Sequence, residues 1–442
     1  MSFLSAVSLL LLLSHPPTST PPQKDLNRSI DSSVAPYVEY HAFSGVVLLA
    51  RGDSVLAERS YGMANYELGI PNRTDTRFRI ASITKWFTLI VVTRLANEKK
   101  LSLDDPLAKF APAFPKADKI TVSQLLYHRS GIRDPDKLRG IISASYTPAE
   151  VVDLLAKEPL GSEPGETYSY TTANYAVLAF IVEKVTGQTF AQVVRRYVYE
   201  PAGMIDAGDI STVGLVPRLA SGYMPDPYSD CGVAINGPED TSWKTGGGSG
   251  YATARDLHRF LRAFYGGKLL PSTPAIDFFP LKTAFGKRMS QASGSFPGAN
   301  ASMSYFPDDA LSVVVLSNSY SSVTGAIARN IAAISFGEPY KIPSAPAVDG
   351  SKPIDPRLFG TWSLEGFPNP FKIEMRHGRP VVFWSPVRQS AFLRVSDDQY
   401  FMPLDWATAI FRFAADGSAE GTWTAPWSDK PLKITRPSEV QK

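Results

Sequence analysis

One cysteine in 442 residues, Cys231, leaves no partner for an internal disulfide and no thiolate set for a structural zinc site. Histidine is scarce as well. The five, His15, His41, His128, His258 and His377, are scattered, and no two stand at metal-ligand spacing, so a histidine-rich metal site is not expected; no cofactor is implied either. Charge of one sign is missing as a feature: 45 Lys and Arg against 42 Asp and Glu leave +3, with no block of like charge along the chain. Nucleic acid is therefore not an expected partner. No apolar run reaches the roughly 20 residues that a membrane-crossing helix needs. What is present is ordinary globular material, 44% hydrophobic and 20% charged, with 32 Gly and 36 Pro to make many turns. A domain per roughly 150 residues gives two or three domains.

The one apolar run of note, Phe3 to Leu13, ends in five consecutive leucines and is followed by Ser14-His15-Pro16-Pro17. Its length fits the core of a signal peptide, although no Lys or Arg precedes it and no small-x-small cleavage site follows. Export to a periplasmic or extracellular space is expected, with a buried or disordered leader as the alternative. Residues 1–23 are then leader and Pro/Ser/Thr spacer, and no stable membrane span remains after their removal.

Gly45 to Ala50 and Ser54 to Glu58 read as strands of an early hairpin around Arg51-Gly52-Asp53. Phe87, Ile90, Val91 and Leu95 share one helical face, as do Leu178, Ile181, Val182 and Val185, with Gly187 as a C-terminal stop. Leu257, Phe260, Leu261 and Phe264 form a third stripe, with Thr253 and Asp256 spaced as a capping box. Strands return at Leu311 to Leu316, ahead of a last helix near Thr324 to Ile334. The first and last strands can share one antiparallel sheet with helices around it, an α+β arrangement. Five prolines (Pro339, Pro343, Pro346, Pro353, Pro356) then mark a linker over 339–356. Beyond it, short strands at Phe371–Met375, Val381–Trp384, Gln399–Phe401, Ile410–Phe413 and Gly421–Trp423 predict a small all-β domain, 357–442, of barrel or meander type. It is expected to fold by itself and to supply no catalytic group.

Ser82-Ile83-Thr84-Lys85 places a serine just before the helical stripe that begins at Phe87 and a lysine one turn on, on the same face. A lysine kept from water near the positive end of a helix loses proton affinity and can serve as the base a serine nucleophile needs. Taken alone, the four residues also suit an ordinary N-cap serine followed by a solvated lysine.

The segment Phe78 to Thr88 resembles the nucleophile segment of the serine β-lactamase and penicillin-binding-protein superfamily, most closely its class C β-lactamase, D-peptidase and esterase branch. Further stretches agree in order: Val122 to Ile132, Pro164 to Tyr170, Asn174 to Gly187, Gly247 to Leu257 and Ser312 to Asn318. The resemblance covers about residues 35 to 335, placing the hydrolase domain at 24–338. It implies a β-lactamase/transpeptidase-like antiparallel sheet flanked by helices, with Ser82 as nucleophile and Lys85 as base. The family's Tyr-x-Asn motif aligns with Tyr170-Thr171-Thr172, giving Tyr170 the proton-exchanging role and leaving Thr172 where the asparagine stands; Tyr168 is the alternative register. A phenol beside a lysine ammonium is expected to ionise more easily.

The family's third motif, Lys-Thr-Gly or a variant, aligns with Ala292-Ser293-Gly294-Ser295. Thr172, Ala292, Ser293 and Gly294 are thereby expected to touch substrate, and the backbone N–H groups of Ser82 and Ser295 to form an oxyanion hole. Ala292 removes the cation or imidazole that faces a substrate carboxylate, with Lys287, Arg288 or Gln291 as possible replacements. The literal Lys244-Thr245-Gly246 runs into three more glycines and a helix and reads as a loop. His128 reads as a turn residue and Cys231 as unreactive. The expected activity is acyl-enzyme hydrolysis of an ester or amide in a small molecule or peptide, with an esterase or D-amino-acid peptidase favoured over a strong β-lactamase. The competing reading is a binding protein that keeps the fold without the chemistry.

Overall fold

The computed structural model describes residues 23–134, 145–210, 214–235, 240–270, 281–367, 369–385, 388–414, 418–428 and 430–436. The leader read over residues 1–23 lies outside them apart from Gln23, which already opens a helix.

Six antiparallel strands form the main sheet, in the order Lys282–Ala284, Lys287–Phe296, Ala299–Phe306, Leu311–Ser317, Gly45–Arg51 and Ser54–Tyr61. The expected hairpin is present, and the beginning and end of this unit meet at its centre, with Val46 opposite Leu316 and Val47 opposite Val315. Side chains on a strand alternate between faces, and here both faces are covered. Val46, Leu48, Val314 and Leu316 enter the core made by the internal helices. Val47, Leu49, Val313 and Val315 face the helices Gln23–Glu39 and Thr324–Phe336. Continuous apolar runs rather than alternation are the consequence.

The helix Gln23–Glu39 is not anticipated by the sequence reading. Its buried stripe is Leu26, Ile30, Val34 and Tyr37, with Val38 packed beside it, in a largely polar segment with Pro36 in its last turn. The other three helical stripes are observed. Ala173–Thr186 stops at Gly187 in the left-handed region, φ 65°, and Ala254–Tyr265 carries the Thr253/Asp256 capping box. Thr84–Asn97 differs from expectation in one respect. It is not amphipathic but buried from Thr84 through Thr93, with Phe87 and Trp86 packed edge-on against Phe260 and Phe264. A polar residue in its first turn is therefore inside the protein.

The C-terminal strands form a nearly closed nine-stranded antiparallel sheet. Five of them, Phe371–Arg376, Arg379–Ser385, Gln399–Met402, Ala407–Phe413 and Ala419–Thr424, contain the expected segments. Its own core holds Trp362, Phe371, Tyr400, Phe411 and Trp423. The joint to the rest is packed. Trp406 meets Tyr37 edge-on at 4.6 Å and Tyr40 at 5.6 Å. Beside it, the N–H of Ser322 donates to the carbonyl of Leu404 at 2.9 Å, and its hydroxyl to Asp405 at 2.8 Å. The Pro-rich stretch is tied as well, Asn330 donating to the carbonyl of Lys341 and Arg394 pairing with Asp349.

Trp406→Ala is expected to cost about 3 kcal/mol, the lower range for deleting a buried indole. Urea denaturation measures it. An unchanged midpoint would mean that the joint carries no stability.

Candidate active site

The serine is delivered by a strained turn. Phe78–Arg79 pairs with Gly250–Ala252, and the N–H of Ile80 donates to Gly250, so the chain arrives in extended form. Ala81 then adopts φ 46°, a left-handed conformation costing an alanine about 1 kcal/mol. A single 3₁₀ turn, Ala81–Ile83, leads into the helix Thr84–Asn97. Thr84 holds this corner: its hydroxyl donates to Ala81 O at 2.7 Å and accepts from the N–H of Gly250 at 3.0 Å.

Three side chains converge there. Lys85 Nζ lies 3.2 Å from Ser82 Oγ, and Tyr170 donates its hydroxyl to the same oxygen at 2.8 Å. Lys85 Nζ also donates to Gly247 O at 2.7 Å and reaches Thr172 Oγ1 at 3.5 Å. Lys85 is only 5% exposed. Burial brings its pKa down to about 7, while the charge of Asp134 pulls in the opposite direction. Tyr170 is not the easily ionised phenol expected from the sequence. Burial raises its pKa, the hydrogen bond to Ser82 offsetting part of that and the charge of Asp134 adding to it. The proton affinity that falls is the lysine's, so the tyrosine stays a neutral donor near pH 7.

The segment holding Tyr170 is built from neighbours. His128 lies beneath it, ring centroids 4.5 Å apart, and its Nδ1 accepts from the N–H of Thr171 at 3.3 Å. Burial and the Lys85 charge bring His128 down to about 4, so it is a neutral acceptor that supports the loop. Tyr168, the alternative register, is largely exposed with its ring edge toward His128.

The strand Lys287–Phe296 closes the site. A Cβ on Gly294 would lie 2.1 Å from Ile80 O and 3.1 Å from the nitrogen of Ser82, so only glycine lets this strand lie against the nucleophile turn. Gln291, Ala292 and Ser293 line a cavity of about 280 Å³ with Ser82, Lys85 and Tyr170; Trp86, Tyr127, Tyr168 and Tyr175 make its aromatic walls. Ser295 follows Gly294 on the strand and does not line that cavity. The cations considered as replacements for the family lysine are engaged elsewhere: Lys287 with Asp309 and Arg288 with Asp308. Lys244 belongs to a 3₁₀ turn, not a strand, and its ammonium lies 4.2 Å above the Phe296 ring. Among the described lining residues, Gln291, Ala292 and Ser293 on this strand carry no charge. Thr172, expected to touch substrate, is turned to Lys85 and packed on Gly247. Cys231 sits in an exposed loop and bonds to Val233 O.

Two participants were not legible in the sequence. Gly247 acts through a backbone carbonyl, which no side-chain motif announces, although a buried lysine requires some acceptor. Asp134 accepts from the hydroxyl of Thr171 at 2.5 Å and the N–H of Ala173 at 2.9 Å. A carboxylate at a helix start was the available signal, but it lies nearly forty residues from that helix, and only the fold brings the two together.

The sequence model described as Beta-lactamase matches residues 30–337. Penicillin-binding protein 4* of Bacillus subtilis is 27% identical over 361 residues, 73% of this chain and 79% of its own length. Among solved structures, the D-amino acid amidase of Ochrobactrum anthropi SV3 superimposes with a TM-score of 0.62 at 24% identity, covering 70% of this chain and 98% of that one. The octameric penicillin-binding protein homologue of Pyrococcus abyssi, TM-score 0.58 at 20% identity, covers 93% of this chain and 99% of its own, so that fold likeness extends into the C-terminal strands.

Gly294→Ala must push the strand off the nucleophile turn. A loss of about 1–3 kcal/mol is expected, with turnover falling at least about 10²-fold as the donors near Ser82 separate. Thermal denaturation and ester kinetics measure the two effects. Full activity in the alanine variant would show that the strand need not lie this close.

Proposed function

This chain belongs to the Beta-lactamase family, and we propose that it hydrolyses neutral ester or amide bonds through an acyl-enzyme on Ser82. The observation that carries the reading is the meeting of Lys85 Nζ and Tyr170 OH on one serine oxygen. A neutral amine has two N–H bonds and one lone pair. With the N–H bonds directed to Gly247 O and Thr172 Oγ1, the lone pair is left for the Ser82 proton. Ser82 Oγ then bonds to the substrate carbonyl carbon, and the carbonyl oxygen gains charge facing the N–H groups of Ser82 and Ser295. When the C–O or C–N bond breaks, Tyr170 gives its proton to the leaving group and is reprotonated from Lys85. Water repeats the sequence on the acyl-enzyme and frees the serine. A chain kept only for binding would have no need of this buried base.

The uncharged strand residues around Ala292 support substrates without a carboxylate at that point. A charge-assisted hydrogen bond there is worth about 1.5–3 kcal/mol, or one to two powers of ten, so β-lactams turn over slowly relative to neutral esters. D-Aminoacyl amides and esters are within the proposed range, in keeping with the likeness to a D-amino acid amidase. The hydrolase unit is proposed to span residues 24–338 and to be exported by the apolar leader, with the strands beyond the linker contributing no catalytic group. No single helix among the described residues is long and apolar enough to cross a membrane.

Hydrolysis of p-nitrophenyl esters, a D-alanyl amide and nitrocefin by one preparation tests the substrate class; efficient nitrocefin turnover would contradict it. Lys85→Ala and Tyr170→Phe should each lower kcat/KM by about 10²-fold or more. Because Lys85 must lose its proton to act, kcat/KM should rise with pH through an inflection near the lysine's value of about 7. His128, at about 4, and Tyr170, raised above its usual range, leave that inflection to the lysine. A flat profile from pH 5 to 9 would remove Lys85 as the base.

A further inference from the structure

We infer that Asp134 is a positioning residue for this reaction, one carboxylate that fixes the Tyr170–Thr172 segment and sets the field at Lys85. The inference rests on the hydrolase reading above. Tyr170 and Thr172 both point at the nucleophile and its base, and Thr171 between them points the other way. Its side chain is buried, and its hydroxyl donates to Asp134 Oδ1 at 2.5 Å. The same oxygen accepts from the N–H of Ala173, the first residue of the fourteen-residue helix Ala173–Thr186. One atom thus joins the catalytic segment to a rigid helix, and the N–H of Thr171 is held from the opposite side by His128. Without that junction, the Tyr170–Thr172 segment loses its tie to the helix and keeps the His128 contacts and the bond of Tyr170 to Ser82.

The charge has a separate consequence. From the helix side, Lys85 faces the rings of Tyr170 and Tyr175 at 4.9 and 5.3 Å. From the glycine-rich loop it meets a neutral carbonyl, with the Lys244 ammonium of that loop lying over Phe296. His128 is neutral above about pH 4, and both tyrosines are raised. Asp134 is joined through Thr171 to the segment whose Thr172 reaches Lys85, and among the described residues it is the carboxylate whose charge opposes the effect of burial on the lysine. An acceptor without charge would hold the segment in place and release the lysine's proton at lower pH.

Asp134→Asn keeps an oxygen for Thr171 and Ala173 and removes the charge. Thr171→Val removes the hydroxyl link and keeps the charge. The full-length variants are assayed for neutral-ester hydrolysis from pH 5 to 9, with fluorophosphonate labelling of Ser82 as a parallel readout. Asp134→Asn should shift the acid limb of kcat/KM to lower pH while the plateau stays within about threefold. Thr171→Val should lower kcat about tenfold, the scale of a lost buried hydrogen bond, with the limb in place and KM little changed. An unmoved limb in a folded Asp134→Asn protein overturns the electrostatic part, and an unchanged kcat in Thr171→Val overturns the positioning part. If Asp134→Asn does not fold, Thr171→Val alone decides the positioning role. Failure of the unmodified protein to label at Ser82 would instead refute the hydrolase reading.

Discussion

An amine held out of water beside a hydroxyl is the constraint on which the rest of this protein depends. Lys85 stands in the first turn of a helix buried on all sides, and that helix is buried because sheet, aromatic cluster and two further helices pack around it. The fold therefore fixes the lysine's chemistry before any substrate arrives. Burial disfavours the ammonium, and the acceptors supplied, Gly247 O and Thr172 Oγ1, satisfy an amine's N–H bonds, with no carboxylate among the described residues in direct contact to restore full proton affinity. Asp134 acts from one residue further out.

Several departures from the family pattern become intelligible once the lysine is placed at the centre. Threonine at position 172 retains one oxygen for Lys85 where an asparagine would also reach toward substrate. Alanine at 292 leaves the strand's approach intact, because the close contact is made by Gly294 against Ile80 and Ser82. Proton-transfer groups and strand geometry are retained, while groups that would recognise a substrate's charge are not. On the proposed reading, that division keeps the acyl-enzyme chemistry and changes the class of substrate.

The parts of this arrangement legible in the sequence are those with local signals. Gly187 ends a helix, Thr253 and Asp256 cap one, and the Ser82/Lys85 spacing puts both residues on one helical face. The central strands read well because they are apolar throughout. The N-terminal helix did not, since a thin apolar stripe among serines and acids looks like a surface segment until a sheet is there to receive it. Spacing says that Lys85 lies near Ser82, but its proton affinity depends on enclosure by residues such as Tyr175 and Gly247, up to about 160 positions away. Asp134 and Gly247 were hidden for the same reason, one acting on a distant helix start and the other through its backbone. The joint at Trp406 likewise gives no local sign, because the partner rings belong to the opposite end of the chain.

The most direct test of the account is the ionisation of Lys85 itself. Protein carrying isotope-labelled lysine, with Lys85→Met to identify the signal, can be followed by NMR from pH 5 to 11 in the absence of substrate. The side-chain resonance of Lys85 should titrate near its value of about 7, well separated from the surface lysines. A midpoint with the others near 10.4, the ordinary lysine value, would mean that Lys85 is an ammonium at working pH, and the proposed proton path from Ser82 would be wrong.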